Sequence, residues 1–132
     1  MVDVGKVDDE TFALNGLRFH YRAWGDPASP PVVLQHASTS HARSWDTVAR
    51  APAGRYRVLA LDQRGHGETD WATDYHEQRL VEDLAAFADA LGIGTVSLAG
   101  FSVGGSTACS YTAGPGPGPA AGGAGELHRS GR

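Results

Sequence analysis

TVSLAGFSVGGS occupies residues 95–106. The apolar run over 95–99 predicts a short strand, which leads without a break into Gly100, Phe101, Ser102, Val103 and Gly104 and then towards a helix. A strand, a tight turn and a helix carrying G-x-S-x-G make a nucleophile elbow. The serine there takes a strained backbone conformation, and the flanking Gly100 and Gly104 leave room for it because they carry no Cβ. Ser102 would stand above the sheet as the nucleophile. The Val103 backbone N–H, at the start of the next helix, would point at an oxyanion forming on the attacked carbonyl. In a chain with 18 glycines the pattern gains its weight from its surroundings.

Those surroundings supply two more buried strands. Val32, Val33 and Leu34 form one unbroken apolar run, ending in Gln35, His36, Ala37 and Ser38. A second run over 56–61 ends at Asp62, Gln63, Arg64, Gly65, His66 and Gly67. Short continuous apolar runs suit strands covered on both faces. Between them Ser44 reads as the N-cap of a short helix carrying Trp45 and Val48. Beyond a loop holding Trp71, a helix is expected from Asp74. Glu77 completes a loose capping box, Leu80, Leu84, Phe87 and Leu91 keep helical spacing, and Gly92 ends it. Glu82, Asp83 and Asp89 are assigned to its solvated side as surface charges, not metal ligands. Trp45 and Trp71 are assigned to core packing.

The N-terminus reads as a flexible acidic lead over 1–10 followed by a hairpin. Phe12 and Leu14 alternate into Asn15-Gly16, and Leu17, Phe19 and Tyr21 alternate with Arg18, His20 and Arg22 on the far side. Asn-Gly between alternating segments marks a hairpin because both residues accept positive φ. His20 is placed on the polar, solvent-exposed face. Strands alternating with helices then give an α/β fold: an antiparallel hairpin, then parallel strands with helices on both sides.

Composition narrows the partners. A chain of 132 residues is one domain's worth, and its net charge of −4 offers no basic face, so neither nucleic acid nor a membrane surface is expected as a partner. The single cysteine, Cys109, cannot form an internal disulfide and reads as a small core residue. MVDVGKVDDE carries no apolar run, so a soluble cytoplasmic protein is the expectation. No residue pattern calls for a metal or a cofactor.

Taken together, the hairpin, the His36-Ala37-Ser38 segment, the D-x-R-G-x-G loop from Asp62 to Gly67 and the elbow resemble the front half of an α/β-hydrolase, over about residues 11–110. The resemblance implies a hydrolase cleaving a small ester, lactone or amide through an acyl-serine, with a small carbonyl compound as substrate and no cofactor. It makes Ser102 the nucleophile, and the backbone N–H groups of Val103 and Ser38 the oxyanion hole. His36 then supports the oxyanion loop, Ala37 stands where the family has glycine, and Asp62, Arg64, Gly65, His66 and Gly67 shape a turn beside the site. His41 and His76 match nothing in the family pattern and read as surface residues.

The family's triad acid and histidine follow the elbow, and here only 30 residues follow Ser102. From Tyr111 they read YTAGPGPGPAAGGAGELHRSGR, with 7 of the 18 glycines and 3 of the 7 prolines. Such a tract buries too little apolar surface to offset its ordering entropy, so 111–132 is expected to be disordered. Its abrupt onset after a predicted helix over 106–113 is what a reading-frame shift in GC-rich DNA would produce, with a natural low-complexity linker as the alternative. Glu126 and His128 in the tail are not expected to serve catalysis. The strand over 95–99 would then lie at an open edge, inviting a homodimer. The alternative function is a truncated, non-catalytic fragment or interaction module pairing through that edge.

Overall fold

The apolar runs assemble into one mixed sheet of six strands, in a computed structural model that describes residues 6–100 and 125–128. In chain order the strands are β1 (Val7–Leu14), β2 (Leu17–Trp24), β3 (Pro31–Gln35), β4 (Arg57–Leu61), β5 (Thr95–Gly100) and β6 (Gly125–His128). Side by side they run β1-β2-β4-β3-β5-β6. β1 and β2 form an antiparallel hairpin through Asn15 and Gly16, at φ 51° and 79°, the left-handed conformation that Asn-Gly accepts. β2 meets β4 antiparallel, while β4 and β5 both lie parallel to β3.

Alternation along the strands sorts side chains onto two covered faces. Leu59 and Leu61 of β4 join Phe19, Val33 and Leu98 against Leu84 and Phe87 of the helix α2 (Glu77–Ala90). Val58 and Ala60 point the other way. They pack with Trp24 and Leu34 under Ala42, Ala49 and Ala53, which come from two 3-10 turns and the one-turn helix α1 (Asp46–Ala49). The ring of Phe87, fully buried, meets Phe12 at 5.6 Å and Tyr21 at 5.1 Å between centroids. Burying a side chain of this size contributes about 1.5–3 kcal/mol.

Several elements differ from expectation, each for a local reason. β1 begins at Val7, inside the stretch expected to be a flexible lead, because Val7 packs beside Trp24 and Asp9 bonds to His20 and Arg22. Ser44 does not cap α1; it lies within a 3-10 turn and its hydroxyl donates to the His41 carbonyl at 2.8 Å. α2 starts at Glu77, not Asp74. Asp74 instead accepts the His76 N–H at 3.1 Å and Arg79 Nε at 3.0 Å, a turn that competes with helix. Trp45 is half-buried in the core layer, whereas Trp71, expected to pack, is 84% exposed.

On the sheet's far side β5 is followed by β6. Thr95 pairs with His128, Val96 with Leu127, Ser97 with Glu126 and Leu98 with Gly125, so β5 is not an open edge. β6 lies near the end of the tail, where its backbone N–H and C=O groups extend along β5. The rest of the tail, the helix expected over 106–113 and Cys109 lie outside the described residues. Among the described residues no helix is long and apolar enough to cross a membrane.

Candidate active site

Because β3, β4 and β5 are parallel, their carboxyl ends open on one side of the sheet. Gln35 stands level with both Leu61 and Gly100. The segments that follow Gln35 and Leu61, His36-Ala37-Ser38 and Asp62 to Gly67, therefore leave the sheet beside the end of β5 at Gly100. After β3 the chain moves out to β4, then returns past β3 to β5, which makes the β3/β5 crevice a topological switch point where α/β sheets bind ligands. Gly100 is the last residue of β5. Ser102, Val103 and Gly104 lie outside the described residues.

His36 is buried, and both its ring nitrogens are engaged. Nδ1 donates to the Ala37 carbonyl at 2.7 Å, and Nε2 accepts the Gln63 N–H at 3.0 Å. One neutral tautomer satisfies both bonds. Burial, outweighing the bond to Ala37, holds the imidazole pKa below its usual 6.5. The Ala37 carbonyl also accepts the Ser40 N–H at 3.1 Å. Ser38 is exposed, and its N–H meets no acceptor among the described residues. Thr39 follows at φ 61°, a left-handed conformation that is strained for a β-branched residue.

The Asp62 loop is held from within. The Asp62 carboxylate accepts the Ala42 N–H at 2.6 Å, the Glu68 N–H at 3.0 Å and His20 Nδ1 at 2.6 Å. Gly67, at φ 53°, passes so close that a Cβ there would sit 2.4 Å from that carboxylate. Gly65, at φ 76°, lies against the Tyr75 ring in the same way. Between the glycines, His66 donates from Nδ1 to the Arg64 carbonyl at 2.9 Å and accepts the Thr39 N–H on Nε2 at 3.2 Å. Arg64 is buried, with Nε 2.6 Å and Nη2 3.0 Å from the two oxygens of Asp83 on α2, and Nη1 on the Asp74 carbonyl. That bidentate bond is the first cause of the raised Arg64 pKa.

A family model described as the alpha/beta hydrolase fold matches residues 30–117. The chain belongs to the α/β-hydrolase fold family. The 3-hydroxybutyrate-oligomer hydrolase of Cupriavidus necator is 39% identical over 67% of this chain and 31% of its own length. Epoxide hydrolase 4 of Homo sapiens is 38% identical over 69% of this chain and 26% of its own. Among solved structures, the enol-lactonase of Burkholderia xenovorans superposes with a TM-score of 0.76 at 30% identity, covering 79% of this chain and 41% of that one. The chain thus spans between a quarter and a third of the length of these curated relatives.

Three polar residues of this α/β-hydrolase domain, His20, Arg22 and Asp83, contradict the sequence-based assignment to solvent. His20, expected in solvent, is 1% exposed, with Nδ1 on Asp62 and Nε2 on Asp9 at 2.8 Å. Arg22, from the same face of β2, is also buried and reaches Asp46 at 2.9 Å and Asp9 at 2.8 Å. Their alternation with Trp24 was the available signal, since Trp24 marks that face as covered. Asp83, assigned to the solvated side of α2, is 1% exposed. Its position three after Leu80 and four before Phe87 put it on the apolar stripe. Asp9, His20 and Glu68 bring ligand atoms within 4.8 Å of one another. Arg22 and Arg43 already bond to those carboxylates, so the trio is an ion-pair network. A cleft of about 370 Å³ lies at the opposite ends of the strands, by Pro31, Arg57 and Gly94, away from the candidate site.

Proposed function

We propose that this domain belongs to a hydrolase that cleaves a small ester, lactone or amide, with Ser102 as nucleophile and the N–H groups of Val103 and Ser38 as the oxyanion hole. The observation that carries the proposal is the shared exit of three parallel strands: Ser38 comes three residues after Gln35 and Ser102 two residues after Gly100, and those two residues are paired in register. Serine and donor would thereby arise from adjacent strands at the switch-point crevice. The relatives' names, an oligomer hydrolase and an enol-lactonase, support carbonyl chemistry. A serine at the elbow supports it too, because family members that open epoxides or displace halides usually carry an aspartate there.

Ser102 would attack the carbonyl carbon, and the two N–H groups would hold the negative charge arriving on oxygen. Removing one such donor costs about 10²–10³ in rate. Activation of Ser102 requires an oriented histidine. Four of the histidines with described side chains are engaged elsewhere: His20 by two carboxylates, His36 and His66 by backbone groups, and His76 by Asp74. His41 is exposed on the loop after Ser38. In the family the acid and base of the triad follow the elbow; Glu126 and His128, which follow it here, are not assigned those roles, so the triad is read as incomplete in this chain. Without them a serine site of this kind keeps only about 10³–10⁴-fold acceleration over water. The test is intact mass of the protein from its native source, before and after a fluorophosphonate probe. One adduct, lost in Ser102→Ala, is the expected result. Absence of an adduct would replace the hydrolase with a non-catalytic role.

A further inference from the structure

Ser38 sits between two peptide planes, and a different imidazole holds each one. The plane before it contains the Ala37 carbonyl and the Ser38 N–H. A trans peptide is rigid, so fixing the direction of C=O fixes the opposed N–H. His36 Nδ1 donates to that carbonyl at 2.7 Å, so it also aims the Ser38 N–H. The plane after Ser38 contains the Thr39 N–H, which donates to His66 Nε2 at 3.2 Å. Thr39 is the strained residue of the loop, at φ 61°; among the described residues its N–H bonds to this ring, and its hydroxyl donates to the Ser38 carbonyl of the same plane at 2.6 Å. Strain of that kind costs on the order of 1–3 kcal/mol and persists only where surrounding bonds enforce it.

His66 is in turn built to stay in place. Its backbone N–H bonds to the Gln63 carbonyl at 2.9 Å, and its carbonyl accepts the Thr69 N–H at 3.0 Å. The ring lies 4.9 Å from that of His36. With Nδ1 donating to the Arg64 carbonyl, Nε2 carries the lone pair that Thr39 needs. We propose that His66 is a positioning residue for the oxyanion donor Ser38: its neutral ring fixes the peptide plane after Ser38 as His36 fixes the plane before it. This deepens the serine-hydrolase reading and rests on it for the function of Ser38. Protonation of His66 would convert Nε2 to a donor facing a donor and release Thr39. The ionisable groups that act on the neighbouring His36 ring are His66, Asp62 and His41, and Glu68, two residues after His66, pairs with Arg43.

The experiment is nuclear magnetic resonance of the full chain labelled with ¹⁵N at neutral pH, reading the hydrogen-exchange protection of the Thr39 amide, the shift of the Ser38 amide and the tautomer of each histidine ring. The expected result is a Thr39 amide protected from exchange and a His66 ring that carries its proton on Nδ1. His66→Gln offers an acceptor in place of Nε2, so the Thr39 amide should stay protected. His66→Phe offers none, so the Thr39 amide should lose its protection and the Ser38 amide should shift. A Thr39 amide that is unprotected in the wild type, or equally protected in His66→Phe, would overturn the proposal, as would a His66 ring protonated on Nε2 alone. The wild-type protection and tautomer decide the matter even if a variant fails to fold. Since the readout is the loop and not turnover, it is separate from the labelling of Ser102.

Discussion

Replacing Asp83 with alanine should be among the most damaging changes in the described domain. Its carboxylate accepts Arg64 Nε at 2.6 Å, Arg64 Nη2 at 3.0 Å and Asn15 Nδ2 at 2.9 Å, so one side chain joins α2, the Asp62 loop and the hairpin turn. The Arg64 and Asp83 side chains are only 7% and 2% exposed. Truncation leaves a guanidinium in the interior with the Asp74 carbonyl as its remaining partner. Breaking a buried pair in this way costs about 3–5 kcal/mol, because the surviving charge is desolvated and uncompensated. With a urea m-value of about 2 kcal/mol/M, the unfolding midpoint should fall by roughly 1.5–2.5 M. Equilibrium urea unfolding followed by circular dichroism measures this. The double variant Arg64→Met/Asp83→Leu removes both charges and should recover to within about 1 kcal/mol of wild type. A single-variant shift below about 0.3 M, or a double variant no better than the single, would refute the assignment of Asp83 to a buried pair.

Gly67→Ala should destabilise by about 1–3 kcal/mol, since its Cβ would overlap the Asp62 carboxylate and the residue sits at positive φ; thermal melting checks it, and Gly16→Ala, with open space around it, should lose less. Acidification should weaken the fold through His36. Burial depresses its folded pKa below the unfolded 6.5, so its contribution is complete above 6.5 and is lost as pH falls through the lower folded value. Melting temperatures from pH 8 to 5 should show this decline, and His36→Asn should flatten it. Ser102→Ala should abolish fluorophosphonate labelling while leaving the melting temperature near wild type.

Much of the architecture was legible because it depends on local pattern. The runs at Val32 and over 56–61 became β3 and β4, and Asn15-Gly16 became the turn, since strand burial and positive φ leave marks in neighbouring residues. The carboxyl-end segments at His36 and Asp62 were found for the same reason: each follows directly from a strand. What failed was the assignment of polar residues to faces. His20, Arg22 and Asp83 are charged or polar by type, and type alone argues for solvent. They are buried because each meets a partner far along the chain: His20 meets Asp62, Arg22 meets Asp46, and Asp83 meets Arg64.

The amino-acid sequence by itself determined the order of strands and turns, the placement of G-x-S-x-G after a buried strand, and the family to which the chain belongs. Those features are encoded within a few residues of themselves. Only the tertiary structure decided that both faces of β2 are covered, that β6 pairs with β5, and that two imidazoles bond to the peptide groups on either side of Ser38. The reason is physical: a buried polar group is stable only when its hydrogen-bond partners are present, and those partners become neighbours only when the sheet has formed.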